Sequence, residues 1–367
     1  MPCHSPIRTV IAWVLVPLSL VVADARAGEP QWREVALHNA HGGRCKAIAF
    51  SPDGLWLATV GGGGTGDVKL WDAKSGAEIA SWEAHAEETK AVLFSPDGRT
   101  LATGGGIWNG PGGVALWDLA TRKSLNAFAV PDAGVVALAF SPDGRALAVG
   151  SGFVAGGRHA GGVTLWDVKN RKELGIALQG HFGNVAGIAF SPDGTKLVTS
   201  TLLTEPQSDR VLWELKTWDA ATGKEIAVLE TSREQAPNAD FFHIRRIVFS
   251  RDGSRLAGGG RRDGAGIVKI WDVATGGGIY LPDHEQTVWA VAFTPDDKTL
   301  ATTDGAAGTI RFWNVVDARQ TGVLESFPGA VFTMEFSPDG KCLAAAGTAL
   351  SRDGQTRTGI IKLWVRE

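Results

Sequence analysis

One unit is repeated seven times along this chain, and that repetition limits the fold more than any other feature. Its clearest copy runs from Ala47 to His85, AIAFSPDGLWLATVGGGGTGDVKLWDAKSGAEIASWEAH. AIAF is a short apolar strand. Ser-Pro-Asp-Gly then breaks it, because Pro presets φ, Asp can bond its own backbone and Gly accepts positive φ. LATV is a second apolar strand, and VKLWD a third with the alternation of a half-buried strand. Lys74-Ser75-Gly76 turns the chain and EIASW makes a fourth. The first turn recurs at Ser51, Ser95, Ser141, Ser191, Ser250, Thr294 and Ser337. The strand-three tryptophan recurs at Trp71, Trp117, Trp166, Trp218, Trp271, Trp313 and Trp364. A period of about 40–45 residues with a tight turn and a strand-three Trp in each unit, followed by Asp in the first five, predicts four-stranded antiparallel blades set in a ring. The expectation is an all-β, seven-bladed β-propeller.

The first 27 residues stand apart from the repeats. Arg8 supplies a positive region, Val10 to Ala23 is an apolar run of fourteen residues, and Ala25-Arg26-Ala27 has the A-x-A form of a cleavage site. Fourteen residues containing Pro17 are short for a bilayer span. The segment 1–27 therefore reads as a removed signal peptide, with residues 28–367 as one propeller. Export to the periplasm or the medium follows as an expectation, without stable membrane insertion after cleavage. The whole chain carries a formal net charge of −3, and losing Arg8, Arg26 and Asp24 removes one further positive charge. A general nucleic-acid surface would need a basic excess instead.

The seven turn–Trp pairs resemble the WD-repeat (WD40) family along nearly all of residues 28–367, in the manner of a bacterial-type secreted member. That resemblance implies the propeller fold and a protein-binding role. The sequence ends at IIKLWVRE, strand three of the seventh blade, while Gln31 to His38 reads as an unassigned strand. The amino-terminal strand is expected to complete the last blade. Such closure hides strand edges, and a closed ring with few edges to share reads as a monomer.

Cys45 and Cys342 remain after the signal segment. Register places Cys45 at an inward position starting strand one and Cys342 at an outward position starting strand two. Antiparallel strands put these starts at opposite ends of the blades, beyond the reach of about 7 Å that a disulfide allows. Two free thiols are expected.

Four histidines precede the Phe of strand one by nine residues: His41, His85, His181 and His284. The same blades carry Thr59, Thr103, Thr199 and Thr302 in strand two. The other three blades hold Val149, Gly258 and Ala345 there. Such co-occurrence predicts a buried His–Thr–Trp hydrogen-bond chain ending on Trp71, Trp117, Trp218 and Trp313. It matches the family's structural network, although the Asp that usually completes that network has no fixed equivalent in the strand-two-to-three turns. No catalytic triad spacing, metal-type cluster or phosphate-cradling motif stands out, so no catalytic residue, metal or cofactor is assigned.

What varies between the repeats is the strand-two-to-three loops, which share one face with the strand-four-to-one connections. Blade two places Trp108 there, blade three Phe153, Arg158 and His159, and blade four Arg210 and Trp213, prolonging a hairpin. Blade five places Arg261 and Arg262, and blade seven Arg352 and Arg357. Aromatic and Arg side chains on loops of a rigid scaffold suit a protein or peptide partner, with blades four and five as the expected centre. A hydrolase or small-ligand site at the channel mouth, using His159, Asp240 and Asp304, is the alternative.

Overall fold

The computed structural model describes residues 32–366, except 64–65, 107–110, 131–132, 156–157, 179–183, 205–209, 236–242, 263, 306–307, 326 and 351–356. A first strand, β1 (Trp32–His41), precedes blade one, which is β2 (Arg44–Phe50), β3 (Trp56–Gly62), β4 (Gly66–Asp72) and β5 (Glu78–His85). Blade two is β6 (Thr89–Phe94), β7 (Thr100–Gly106), β8 (Gly112–Asp118) and β9 (Lys123–Val130). Blade three is β10 (Gly134–Phe140), β11 (Ala146–Ala155), β12 (Arg158–Asp167) and β13 (Lys172–Ala177). Blade four follows with β14 (Asn184–Phe190), β15 (Lys196–Thr204), β16 (Arg210–Asp219) and β17 (Glu225–Gln235). Blade five comprises β18 (His243–Phe249), β19 (Arg255–Arg262), β20 (Ala265–Asp272) and β21 (Gly278–Leu281). Blade six comprises β22 (Val291–Phe293), β23 (Thr299–Asp304), β24 (Thr309–Asn314) and β25 (Gln320–Leu324). The last blade has β26 (Ala330–Phe336), β27 (Cys342–Leu350) and β28 (Arg357–Arg366).

Six sheets are simple meanders, and the seventh has the order β26-β27-β28-β1. The closure expected of the amino-terminal strand is what forms. β1 pairs antiparallel with β28 from Trp32↔Arg366 to His41↔Gly359. Trp32 stacks on Phe312 with ring centroids 6.0 Å apart and lies 5.9 Å from Phe336, so it pins the last blade to the sixth. The core lies between blades. One cluster joins Leu57 and Trp71 of blade one to Ile361 and Leu363 of blade seven.

Each strand-one-to-two turn is a small capped unit. Ser51 Oγ donates to Asp53 Oδ1 at 2.5 Å and accepts from Trp56 N at 2.9 Å, while Gly54 N donates to Ser51 O at 2.8 Å. These turns also touch their neighbours. A side chain at Gly98 would meet Pro52 of the preceding blade 3.6 Å away, and one at Gly253 would meet Pro192 at 3.1 Å. Gly98 and Gly253 have φ of +69° and +71°, so both conformation and space favour glycine there. Six of the seven junctions repeat this Gly-on-Pro contact. At the seventh, Arg251 stands where Pro is expected and Asp297 (φ +56°) where Gly is expected. The Asp297 carboxylate accepts from Arg251 N at 2.7 Å and Asp252 N at 2.9 Å. Proline has no N–H, so the exposed donor that Arg251 introduces is met by the acid that replaces glycine.

The Asp of each Trp-Asp pair caps the following turn. Asp72 Oδ1 accepts from Ser75 N and Ser75 Oγ, both at 2.7 Å, and Asp118, Asp219 and Asp272 do the same for Thr121, Thr222 and Thr275.

Candidate functional site at the long-loop face

The blades are braced by hydrogen-bond chains. Trp71 Nε1 donates to Thr59 Oγ1 at 2.9 Å, and Thr59 Oγ1 lies 3.0 Å from His41 Nε2. His41 Nδ1 is 2.9 Å from Asp67 Oδ2. A carboxylate only accepts, so Nδ1 carries the proton and Nε2 accepts from the Thr59 hydroxyl. Asp67, at the start of β4, thus supplies in blade one the carboxylate that the sequence reading left without an equivalent. In blade two the distances are 3.0 Å for His85–Thr103 and 3.0 Å for Trp117→Thr103, and in blade six both are 2.8 Å through Thr302, from His284 and Trp313. In blade four Trp218 donates to Thr199 at 2.7 Å, while His181 lies outside the described residues. Burial lowers the pKa of His85 and brings that of His284 down to about 4. Both therefore sit in the wall of the fold as neutral imidazoles.

In blades three and five, which lack the Thr, the tryptophan finds another acceptor. Trp166 Nε1 donates to Thr164 on its own strand at 3.0 Å. Trp271 Nε1 instead donates at 2.7 Å to Glu230, which reaches over from the outer strand of blade four. Glu230 also pairs with Lys269 at 2.8 Å and accepts from the Tyr280 hydroxyl at 2.8 Å. Four tryptophans carry a lysine two residues earlier on the same strand face. The ammonium nitrogens of Lys69, Lys216, Lys269 and Lys362 lie 5.4 to 5.8 Å from the centroids of Trp71, Trp218, Trp271 and Trp364. The last of these, though buried, is neutralised by Glu34 of the closing strand at 2.7 Å.

Three hairpins rise on one face. β11–β12 pairing runs to Ala155↔Arg158, β15–β16 to Thr204↔Val211 and β27–β28 to Leu350↔Arg357. β17 extends alongside β16 as far as Arg210↔Gln235, so blade four projects three strands. The connection 236–242, including Asp240, lies outside the described residues, as do Trp108 and Arg352. Phe153, Arg158, His159 and Arg210 fall on β11, β12 and β16, where the backbone alone is described. Arg262, Arg357 and Leu350 are exposed at the hairpin ends, and Arg261 is half-buried.

Two positions depart from expectation. Trp213 is 1% exposed and packs with Ile244, Ile267 and Trp271 between blades four and five. The longer hairpin carries the interblade core outward, and the indole belongs to that core and not to an exposed face. Cys342, expected to face outward, is buried in the cluster that holds Cys45, Phe50 and Ala73. Both cysteines are free thiols, and burial raises their pKa values, that of Cys342 to about 12.

The inner strands line the channel, and their starts lie at the long-loop face. Four residues before the closing Phe of strand one, blades three and four carry Val136 and Ala186, but blades one, two, six and seven carry Lys46, Lys90, Trp289 and Phe332. Lys46 Nζ pairs with Glu88 at 2.9 Å. Trp289 meets Phe332 edge to face at 5.5 Å, and the Arg44 guanidinium carbon lies 5.8 Å from the Phe332 centroid. One residue deeper, Arg246 of blade five donates to Thr333 of blade seven at 2.7 Å. Below that, Glu335 accepts from Phe50 N at 3.2 Å. The sequence reading missed this arc, although large or charged residues at a position held by Val or Ala in other blades were its visible signal. The alternative site loses a member here, because the Asp304 carboxylate is occupied by Arg311 at 3.0 and 3.2 Å.

Comparison with known proteins agrees with the repeats. The family profile described as "WD domain, G-beta repeat" matches residues 172–209, 279–314 and 319–364. The one described as "Eukaryotic translation initiation factor eIF2A" matches residues 29–152. Eukaryotic translation initiation factor 3 subunit I of Aspergillus terreus is 38% identical over 104 residues, 28% of this chain and 29% of that protein. Periodic tryptophan protein 2 homolog of Schizosaccharomyces pombe is 27% identical over 158 residues, 37% of this chain and 17% of its own length. Protein SUPPRESSOR OF PHYA-105 1 of Arabidopsis thaliana is 32% identical over 85 residues, 23% of this chain and 8% of that protein. The chain thus spans less than a third of the length of these relatives. These relatives are eukaryotic, and one is named for translation initiation, a process inside the cell. The expectations of an exported, periplasmic or extracellular protein and of a bacterial-type secreted member are corrected on that ground. The apolar run behind them lies outside the described residues, and fourteen mostly aliphatic residues form too short a pattern to outweigh the relatives. The chain is a seven-bladed β-propeller that carries WD40 repeats.

Proposed function

We propose that this protein is a non-enzymatic interaction scaffold that binds a protein partner through the face bearing the long hairpins. The observation that carries the reading is the shared direction of the β11–β12, β15–β16–β17 and β27–β28 extensions. The last of these carries exposed Leu350 and Arg357, and the β19–β20 hairpin of blade five adds exposed Arg262, beyond a body whose strands are braced by buried networks. A rigid ring with side chains lifted on one side limits the entropy that a partner must overcome. The similarity to a subunit of a translation initiation factor is in keeping with a role inside an assembly. The likeness covers parts of those proteins, so their partners are not carried over.

The test is crosslinking capture with the folded protein beside an Arg262→Glu, Arg357→Glu variant of equal thermal stability. A partner recovered with the wild type and lost with the variant supports the face. Equal recovery by both moves the contact to the turn face or the rim, and recovery by neither overturns the scaffold reading.

A further inference from the structure

The channel mouth offers a more specific contact than the hairpin ends. Lys46 and Lys90 occupy equivalent, half-buried places on neighbouring inner strands, and burial, with the nearby Lys46 charge adding to it, lowers the pKa of Lys90. Glu88 pairs with Lys46 at 2.9 Å and its charge also favours that of Lys90, and Arg44 stands at the outer end of the Lys46 strand. Beneath them the Arg246–Thr333 hydrogen bond spans the lumen from blade five to blade seven and forms a floor. On the other side of the mouth Trp289 and Phe332 present an apolar wall, with Arg44 beside the Phe332 ring. Among the described residues, blades three and four place the small side chains of Val136 and Ala186 at the equivalent position of this rim. Among the described residues of this mouth, the cations Arg44, Lys46, Lys90 and Arg246 outnumber the acids Glu88 and Glu335. These charges stand in a partly dry place where they act more strongly than on an open surface.

We propose that this mouth takes up an acidic side chain of a partner protein, seated between Lys46 and Lys90 above Arg246. An aromatic or aliphatic neighbour in the same partner segment packs on Trp289 and Phe332. Lysine ammonium groups hold a carboxylate without demanding one orientation, and the aromatic wall supplies apolar contact at low entropic cost. The inference rests on the reading of the long-loop face as a protein-binding surface and names the chemistry of its centre.

The probe is a displayed library of random heptapeptides, selected on the full-length protein and on Lys46→Gln/Lys90→Gln and Phe332→Ala variants, each checked for an unchanged melting temperature. The expected result is enrichment of peptides with Glu or Asp beside an aromatic or aliphatic residue. A synthetic copy of the best peptide should bind the double lysine variant at least about tenfold more weakly, and its Glu→Gln analogue should lose a similar factor on the wild type. Affinity should also fall as salt is raised. Enriched peptides without an acid, or binding indifferent to both lysines, overturn the acidic-segment proposal while leaving the scaffold reading in place if Arg262→Glu/Arg357→Glu abolishes capture. Failure of every peptide to bind, with protein capture also absent, overturns both.

Discussion

The irregular turn junction gives a sharp test of how the blades are held in register. Replacing Asp297 by Ala removes the acceptor of two backbone N–H groups, at 2.7 and 2.9 Å, and keeps a side chain at φ +56°. Bonds of this kind to a half-exposed carboxylate contribute about 1 kcal/mol each, so the loss should be about 2 kcal/mol. Asp297→Gly loses the same bonds but relieves left-handed strain of about 1 kcal/mol, for a net cost of about 1 kcal/mol. Arg251→Pro alone costs a similar amount, because it deletes one donor and sets the proline ring against the Asp297 side chain. The double variant Arg251→Pro/Asp297→Gly recreates the junction found at the other six positions. It should be close to wild type, with proline also restricting the unfolded chain. The predicted coupling is about 2 kcal/mol, read from urea midpoints and m-values for the four proteins of the cycle. If the single effects add to within about 0.5 kcal/mol, the two residues act independently and the compensation argument fails.

Three further outcomes follow from the same contacts. Burial raises the Glu335 carboxyl to about 7, opposed by the Phe50 N–H and by Arg246. An acid whose folded pKa is raised stabilises the protein at low pH, and that contribution disappears as pH rises from the ordinary carboxylate range through 7. Reduced for contact with the channel lumen, the swing is about 2 kcal/mol, and Glu335→Gln should remove it; an unchanged difference in urea midpoint between pH 5 and pH 8 would refute this. Thr59→Val strands both Trp71 Nε1 and His41 Nε2 and should cost about 2–4 kcal/mol by chemical denaturation, whereas Thr59→Ser should cost under about 1.5. Cys45 and Cys342 should resist a thiol reagent until the protein unfolds, as mapped by mass spectrometry of the labelled peptides; rapid native labelling of either would contradict its burial.

The amino-acid sequence by itself determined what depends on residues close in the chain. Ser-Pro-Asp-Gly and the Trp-Asp turns close through bonds spanning two to five residues, so their recurrence counted the blades. The joint appearance of His and Thr revealed the internal bracing because the two partners recur together at a fixed spacing of 18 residues. The unassigned amino-terminal strand disclosed the ring closure by the same logic of one missing partner. The tertiary structure alone decided what joins different repeats. Glu230 serves the tryptophan of the next blade from 41 residues away, and Asp297 answers Arg251 from 46. Trp213 looked like a loop residue until the lengthened hairpin put it in the interblade core, and Cys342 likewise joined a cluster shared with blade one. The mouth of the channel belongs to this second class. Lys46, Lys90, Arg246, Trp289 and Phe332 come from five separate blades, and only closure of the ring gathers them around one opening.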